Sequence, residues 1–284
     1  MATPPDEHDR GLVYDLETLL ARRRVLGLFA GAGLAALVGC SSDETPSGSS
    51  SPSASPSPSA SSSASPSASS SATTGTSTEE IPEETGGPYP GDGSNGPNVL
   101  TQSGIVRQDI RSSFGSSSGV AEGVPLTVKL TVTENTTGAA LPGAAVYLWH
   151  CDAQGRYSLY SDGVTEENYL RGVQAADANG KVTFTTIYPA AYSGRWPHIH
   201  FEVYASLNDA TAAGQISATS QLALPEDTSA AVYGTDGYDG STRNLSRTSL
   251  ESDNVFGDDG GVRQLATVTG STTSGYTATL TVPV

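Results

Sequence analysis

The sequence predicts an all-β protein: a sandwich of antiparallel sheets with long loops, preceded by a disordered linker. Three observations predict this class. Residues 126–133 alternate strictly between apolar and polar side chains, as a half-buried strand does. Several other short runs with strand character are separated by Gly, Pro, Asn and Asp turn signals. Signals for helices are scarce, and short strands at such spacing are typical of a β-sandwich.

The strands are predicted from these runs and from the turns between them. Leu141-Pro142-Gly143 and Asn179-Gly180 are two of the turn signals. The predicted strands cover residues 126–133, 144–151, 181–187, 198–205, 215–224, 262–269 and 275–283.

Residues 1–40 predict an export signal with a lipoprotein cleavage box. Arg22-Arg23-Arg24 precede an apolar run that ends at Val38, which is too short to span a bilayer comfortably but suits a signal h-region. Small residues then precede Cys40, which we expect to be the lipidated first residue of the mature protein. The paired arginines favour twin-arginine export. A plain Sec signal and a retained N-terminal anchor helix are the alternatives, and the predicted location is the cell membrane, by lipid anchor, or the extracellular space.

Residues 41–78 predict a disordered linker, because they are almost wholly Ser, Pro, Ala, Thr and Gly and have no apolar content to offset the entropy of ordering. Residues 79–284 are left as one domain, long enough for a real core. The formal net charge of −16 disfavours a nucleic-acid partner. The only membrane contact predicted is through the lipid anchor.

Two histidines one residue apart, His198 and His200, are the main functional signal. Side chains alternate across a strand, so both imidazoles point to one face while Ile199, Phe201 and Val203 point to the other. That arrangement is how a sheet can present a pair of metal ligands. Two satisfied polar residues on an exposed sheet face are the alternative, and for an isolated His-x-His pair the more common one.

Two tyrosines at changes of chain direction, Tyr157 and Tyr192, strengthen the metal interpretation. Imidazole nitrogen with phenolate oxygen is a hard ligand set that suits a ferric ion. Free tyrosine has a pKa of about 10, so a strongly charged cation is needed to hold it ionised near neutral pH. Zinc would be expected to recruit Cys or a carboxylate instead.

The sequence resembles the intradiol ring-cleavage dioxygenases, which include the catechol, hydroxyquinol and protocatechuate dioxygenases, from about residue 81 to about 227. Four ordered blocks carry the resemblance. One departure from the family pattern is Pro189-Ala190-Ala191-Tyr192, which lacks the glycine and the bulky residue that usually precede the tyrosine, and this predicts a smaller pocket wall. The blocks are Gly86-Gly87-Pro88-Tyr89, residues 146–157, residues 170–187 beginning Leu170-Arg171-Gly172, and residues 192–201.

The resemblance implies a β-sandwich core and a non-haem Fe(3+) site bound by Tyr157, Tyr192, His198 and His200. By the same resemblance, Tyr192 and His200 are the axial pair. The implied reaction inserts both atoms of O2 between the two hydroxyl-bearing carbons of a catechol, giving a cis,cis-muconate-type diacid. Tyr192 would act as a base, Arg195 matches the family arginine beside the reacting ring, and Gln221 matches a polar residue behind the metal ligands. The helical dimerisation region of catechol-specific members is not found in the sequence, so the oligomeric state stays open.

Five further features receive a structural interpretation. Tyr188 and Tyr160 are rival phenols but are read as packing or surface tyrosines, and His150 is read as a satisfied structural histidine. Cys151 is predicted to be a buried, inert thiol. The Gly- and Asp-rich residues 234–261 lack the regular spacing of a calcium loop, so we predict a solvated loop near the pocket mouth.

Two functions compete at this point. The first is an exported iron dioxygenase acting on small catecholic substrates with O2. The second is a non-catalytic cell-envelope module, a prealbumin-like sandwich that binds a ligand or glycan and carries a vestigial iron site. The complete set of two tyrosines, two histidines and Arg195 favours the enzyme.

Overall fold

The computed structural model describes residues 79–212 and 214–284. The predicted signal segment 1–40, its lipidation site Cys40 and the predicted linker 41–78 lie outside these residues. The strands of the described part are β1 (Pro125–Thr133), β2 (Ala145–Trp149), β3 (Arg171–Ala175), β4 (Lys181–Ile187), β5 (His198–Tyr204), β6 (Ile216–Ala223), β7 (Thr267–Ser271) and β8 (Gly275–Pro283). The helices there are short: α1 (Leu207–Thr211), α2 (Glu226–Tyr233) and α3 (Ser241–Leu245).

The strands form two sheets of four, so the predicted all-β class is confirmed. One sheet has the order β4-β1-β8-β7 and the other the order β3-β2-β5-β6. Neighbouring strands are antiparallel except for β1 and β8, which run parallel.

The main core lies between the two sheets. In β1, Leu126, Val128 and Leu130 are buried while the residues between them are exposed or half-buried, as the alternation predicted. They share one apolar cluster with Ile199 and Phe201 of β5.

The second sheet is buried on both faces, and this places the functional residues. Every residue of β5 is buried. A second apolar cluster, which includes Tyr147, Trp149 and Tyr157, covers the face of this sheet that points away from the core between the sheets. His198 and His200 therefore occupy an interior layer between the sheet and the long loops, rather than an exposed sheet face.

Two strand predictions differ from the structure. β3 was not predicted as a strand, because Arg171 and Gly172 interrupt any apolar pattern there. Arg171 is nevertheless buried, and Gly172 is required by close contact, since an added Cβ would lie 2.5 Å from Ile110. β7 begins at Thr267, five residues after the predicted start at 262, because turns occupy the residues before it.

The prediction of a solvated loop over residues 234–261 holds for about half of these residues and was wrong for the buried ones. Tyr238, Leu245, Val255 and Phe256 from this segment are buried in the main core, and the segment contains α3. The segment is rich in Gly and Asp, but burial of these four apolar side chains stabilises its packing against the core. The four side chains pack into the core, while most of the residues between them are exposed or half-buried.

Residues 79–212 and 214–284 contain no helix with the length and apolar character needed to cross a bilayer.

Candidate metal centre

The four side chains predicted to be metal ligands lie close together. The phenol oxygens of Tyr157 and Tyr192 are 3.4 Å apart, and the Tyr192 oxygen is 3.1 Å from Nε2 of His198. Nε2 of His198 is in turn 3.1 Å from Nε2 of His200. Tyr157 and both histidines are at most 3% exposed, whereas Tyr192 is half-buried.

A capped turn positions Tyr157. Asp152 accepts backbone hydrogen bonds from Gln154 and Arg156 at 2.9 Å each, and Gly155 adopts a left-handed conformation with φ of 81°. This tight turn follows β2 directly and directs the next residue back over the sheet. The backbone N–H of Tyr157 then donates to Ser161 Oγ at 2.9 Å.

Helix α3 holds the backbone that carries Tyr192. Ser241 Oγ accepts from the N–H of Ala191 at 3.2 Å, and Asn244 Nδ2 donates to the carbonyl of Ala191 at 2.9 Å. The segment mispredicted as solvated thus fixes the position of a candidate ligand.

Different contacts orient the two histidines on β5. Nδ1 of His198 lies 2.5 Å from the carbonyl oxygen of Trp196. This contact favours the tautomer with the proton on Nδ1, which leaves the lone pair of Nε2 available to a metal. Nδ1 of His200 has no hydrogen-bond partner among the described residues. The His200 ring instead stacks on Trp149, with 5.0 Å between centroids and 6° between planes.

The two imidazole nitrogens and two phenol oxygens are better suited to binding a cation than to hydrogen-bonding with one another. Burial lowers the pKa of both histidines well below the usual value, so both imidazoles are neutral ligands. Burial, with a smaller effect of Tyr192, raises the pKa of Tyr157 well above the usual value, so its phenol ionises only beside a strong positive charge. Metal–ligand bonds of about 2.0–2.1 Å place neighbouring donors roughly 3 Å apart, which is the spacing found here.

Among the described residues, no three His, Cys, Asp or Glu side chains form a group suited to a metal ion. The candidate centre contains two histidines, and the two phenols complete it.

Arg195 and Gln221 lie directly behind the histidines. Arg195 is fully buried, and its Nη2 donates to Oε1 of Gln221 at 2.7 Å. Gln221 pairs with His200 in the register of β5 and β6, and its Nε2 donates to the carbonyl of Thr85 at 2.9 Å. After burial, the charge of Arg195 is the next cause of the lowered pKa of His198.

The sequence analysis did not predict the roles of three residues at this site. Asp253, which binds Arg195, lies in the segment read as solvated. Tyr89 ends the motif Gly86-Gly87-Pro88-Tyr89, and its ring centroid lies 5.0 Å from that of Tyr157. Trp149 was read only as a strand residue, although strand pairing places it opposite His200.

The other polar candidates have structural roles, as predicted. Tyr160 donates to the carbonyl of Asn95 at 3.0 Å, and the Tyr188 hydroxyl contacts Ser229 Oγ at 2.8 Å. His150 contacts Thr186 Oγ1 and the Cys151 carbonyl, both at 2.7 Å. Burial raises the pKa of the Cys151 thiol, so this cysteine is inert.

Comparison with known proteins agrees with the sequence motifs. A family model described as Dioxygenase matches residues 95–233. A 58-residue segment is 36% identical to catechol 1,2-dioxygenase of Pseudomonas sp. (strain EST1001), over 20% of this chain and 19% of that protein. The chain thus matches about a fifth of the length of this curated relative.

Two solved structures share the fold. A crystal structure of a dioxygenase superimposes with a TM-score of 0.58 at 25% identity, over 72% of this chain and 94% of that one. An intradiol ring-cleavage dioxygenase from Tetranychus urticae gives a TM-score of 0.52 at 27% identity, over 64% and 87% of the two chains. The resemblance inferred from the motifs is confirmed.

Proposed function

Because the chain is related in sequence and in fold to the intradiol ring-cleavage dioxygenases, we propose that it is a non-haem Fe(3+) dioxygenase for small catecholic substrates. The observation that carries the proposal is the series of contacts of 3.1–3.4 Å that links two phenol oxygens and two imidazole nitrogens, from Tyr157 through Tyr192 and His198 to His200. The overall reaction joins a catechol and O2, breaks the bond between the hydroxyl-bearing carbons, and yields a muconate-type diacid that contains both oxygen atoms.

Tyr157, Tyr192, His198 and His200 would hold the iron. The chemistry that iron(III) supplies when bound is Lewis-acid stabilisation of phenolate and catecholate oxygens. Two neutral imidazoles and two phenolates offset most of the charge of the ion. The buried cluster around them excludes water, which strengthens each electrostatic contact.

Tyr192 is suited to act as the base. It is half-buried whereas the other three are buried, so it is the member of the four that is most open to an entering substrate. As a phenolate it would accept a catechol proton at that oxygen. Arg195, fixed and fully buried, would stabilise negative charge that develops on the ring. Gln221 holds one edge of the Arg195 guanidinium.

Oxygen uptake by iron-replete protein tests the proposal. We expect a wine-red protein, coloured by tyrosinate-to-iron charge transfer, that consumes O2 with catechol, hydroxyquinol or protocatechuate. With 18O2, the product should be a diacid that contains both labelled atoms. A coloured protein that takes up no O2 over this panel would identify the non-catalytic envelope module, and cleavage beside the hydroxyls would reject the intradiol reaction.

We also propose that the enzyme is exported and anchored through a lipid on Cys40. The support is the sequence of residues 1–40, with paired arginines, an apolar run and small residues before the cysteine. A clickable palmitate analogue should label the wild type but not Cys40→Ala. Export should stop when Arg23 and Arg24 are both changed to Lys, and continued export of that variant would indicate the Sec route.

A further inference from the structure

Asp253 makes a fully buried ion pair with Arg195, from a position 58 residues later in the chain. Its Oδ2 accepts from Nε of Arg195 at 3.0 Å and from the backbone N–H of Trp196 at 2.7 Å. Its Oδ1 accepts from the backbone N–H groups of Val255 and Phe256 at 2.8 and 3.1 Å. Oδ1 therefore fixes Asp253 to its own turn and also accepts from Nη2 of Arg195 at 3.5 Å, while Oδ2 holds the chain just before β5.

Two contacts fix the plane of the guanidinium. Nε of Arg195 is bound to Asp253, and Nη2 is bound to Gln221 at 2.7 Å. A guanidinium is a rigid fork, so contacts at two of its nitrogens define its orientation, and Asp253 reaches both Nε and, at 3.5 Å, Nη2. Gln221 comes from the sheet, but Asp253 comes from the 234–261 segment.

The same carboxylate also acts on the peptide next to a candidate ligand. Trp196 donates its N–H to Asp253, and its carbonyl oxygen lies 2.5 Å from Nδ1 of His198. The residue whose carbonyl orients His198 is therefore also held by Asp253 through its N–H. Groups that orient metal-ligating histidines in this way commonly affect the site as strongly as the ligands do.

We infer that Asp253 is a positioning residue for the proposed ring cleavage, holding the Arg195 guanidinium at the orientation in which its charge faces the site. The kinetic part of this inference rests on the proposed function. The orientation of Arg195 does not depend on it. Asp253 also compensates a buried charge, so its loss removes the carboxylate that balances the Arg195 guanidinium and destabilises this orientation.

The kinetic test compares Asp253→Asn with Asp259→Asn in iron-replete full-length protein. Asp259 is an acid of the same segment that also accepts a turn N–H, from Gly261 at 2.7 Å, but its side chain is 25% exposed and pairs with Arg263. We expect Asp253→Asn to lower kcat about 10- to 100-fold, as loss of one oriented charge does, with KM within about twofold. The amide oxygen of asparagine can still accept from the N–H of Trp196, so the backbone before His198 stays held, and iron content and the visible band should stay at the wild-type level. Equal kcat for the two variants would overturn the inference.

A second readout needs neither iron nor turnover. In 15N-labelled metal-free protein, the buried Nε–H of Arg195 should give a slowly exchanging signal, assigned by its loss in Arg195→Lys. Asp253→Asn should shift that signal and speed its exchange at least tenfold, while Asp259→Asn leaves it unchanged. An unchanged signal in Asp253→Asn would overturn the inference, whereas an inactive wild type with the expected signals would reject only the proposed function.

A double variant covers the case in which Asp253→Asn fails to fold. Arg195→Met with Asp253→Asn removes both buried charges, which proteins commonly tolerate better than a single unpaired charge. If Asp253 acts only through Arg195, kcat of this double variant equals that of Arg195→Met alone. A further tenfold loss in the double variant would show that Asp253 acts by another route.

Discussion

The phenol oxygens of Tyr157 and Tyr192 lie 3.4 Å apart, although the two residues belong to separate loops. Two phenolates at that distance repel each other strongly in a buried site, and Tyr192 is a cause of the raised pKa of Tyr157 after burial. In the metal-free protein the Tyr157 phenol is therefore neutral. The pair becomes an anionic ligand set only when a cation occupies the space between the four donors.

Tyr157→Phe should weaken iron binding at least about tenfold and reduce the visible charge-transfer band, because it removes one of two phenolate ligands. Iron analysis and absorbance measure both effects. Tyr160→Phe is the matched control: its hydroxyl bonds to Asn95 and Gly91, so its loss should cost about 1 kcal/mol of stability per bond without loss of iron. Equal losses of iron in the two variants would show that the wrong phenol was chosen.

The sequence was sufficient to predict the part of the site that depends on strand periodicity. Alternation placed His198 and His200 together, and the structure has their Nε2 atoms 3.1 Å apart. Periodicity failed for β3, where Arg171 is buried by hydrogen bonds rather than by apolar character. It also failed for residues 234–261, where Asp253 is buried because Arg195 meets it from the distant loop before β5, a pairing without a local signal.

Trp149→Leu should lower iron affinity about tenfold, because the parallel stacking on Trp149 fixes the plane of the His200 ring. Nδ1 of His200 has no hydrogen-bond partner among the described residues that could replace that contact. Competition with a chelator measures the affinity. Trp149→Phe keeps an aromatic face and should retain most of it, so equal affinities for the Leu and Phe variants would contradict the role of stacking.

Arg171→Lys should loosen residues 86–92, which include Tyr89 beside Tyr157. The buried guanidinium donates to the carbonyls of Tyr89 and Pro90 and also bonds to Tyr147 and Ser158. A lysine ammonium is a single point with three donors, so it cannot span these acceptors, and the free energy of unfolding should fall by about 3 kcal/mol. Hydrogen exchange over residues 86–92 should become faster.

Arg111→Lys is the control for that substitution. Arg111 pairs with Asp109 at the surface, with both side chains more than 40% exposed. Exposed pairs of this kind contribute little, so we expect a change below about 0.5 kcal/mol and unchanged exchange over residues 86–92. A similar loss of stability in both variants would mean that the buried fork of Arg171 has no special role.

Glu84 should make the protein less stable as the pH rises from about 4.5 to about 8. This carboxyl is 6% exposed, and burial, opposed by its bond from Gln264, raises its pKa to about 8. Between the unfolded and folded pKa values the folded state keeps a proton that the unfolded state has lost. Unfolding is therefore favoured progressively over that interval, by up to about 1.4 kcal/mol per pH unit, and the effect levels off above pH 8.

Glu84→Gln isolates this effect because glutamine is uncharged at every pH and can still accept from Gln264. Its stability should exceed that of the wild type at pH 8, and the difference should shrink steadily and vanish near pH 4.5. Urea titrations at several pH values measure both free energies of unfolding. Glu80→Gln, at an exposed position, should follow the wild-type profile. A Glu84→Gln profile parallel to the wild type over this interval would mean that Glu84 is already ionised in the folded protein at neutral pH.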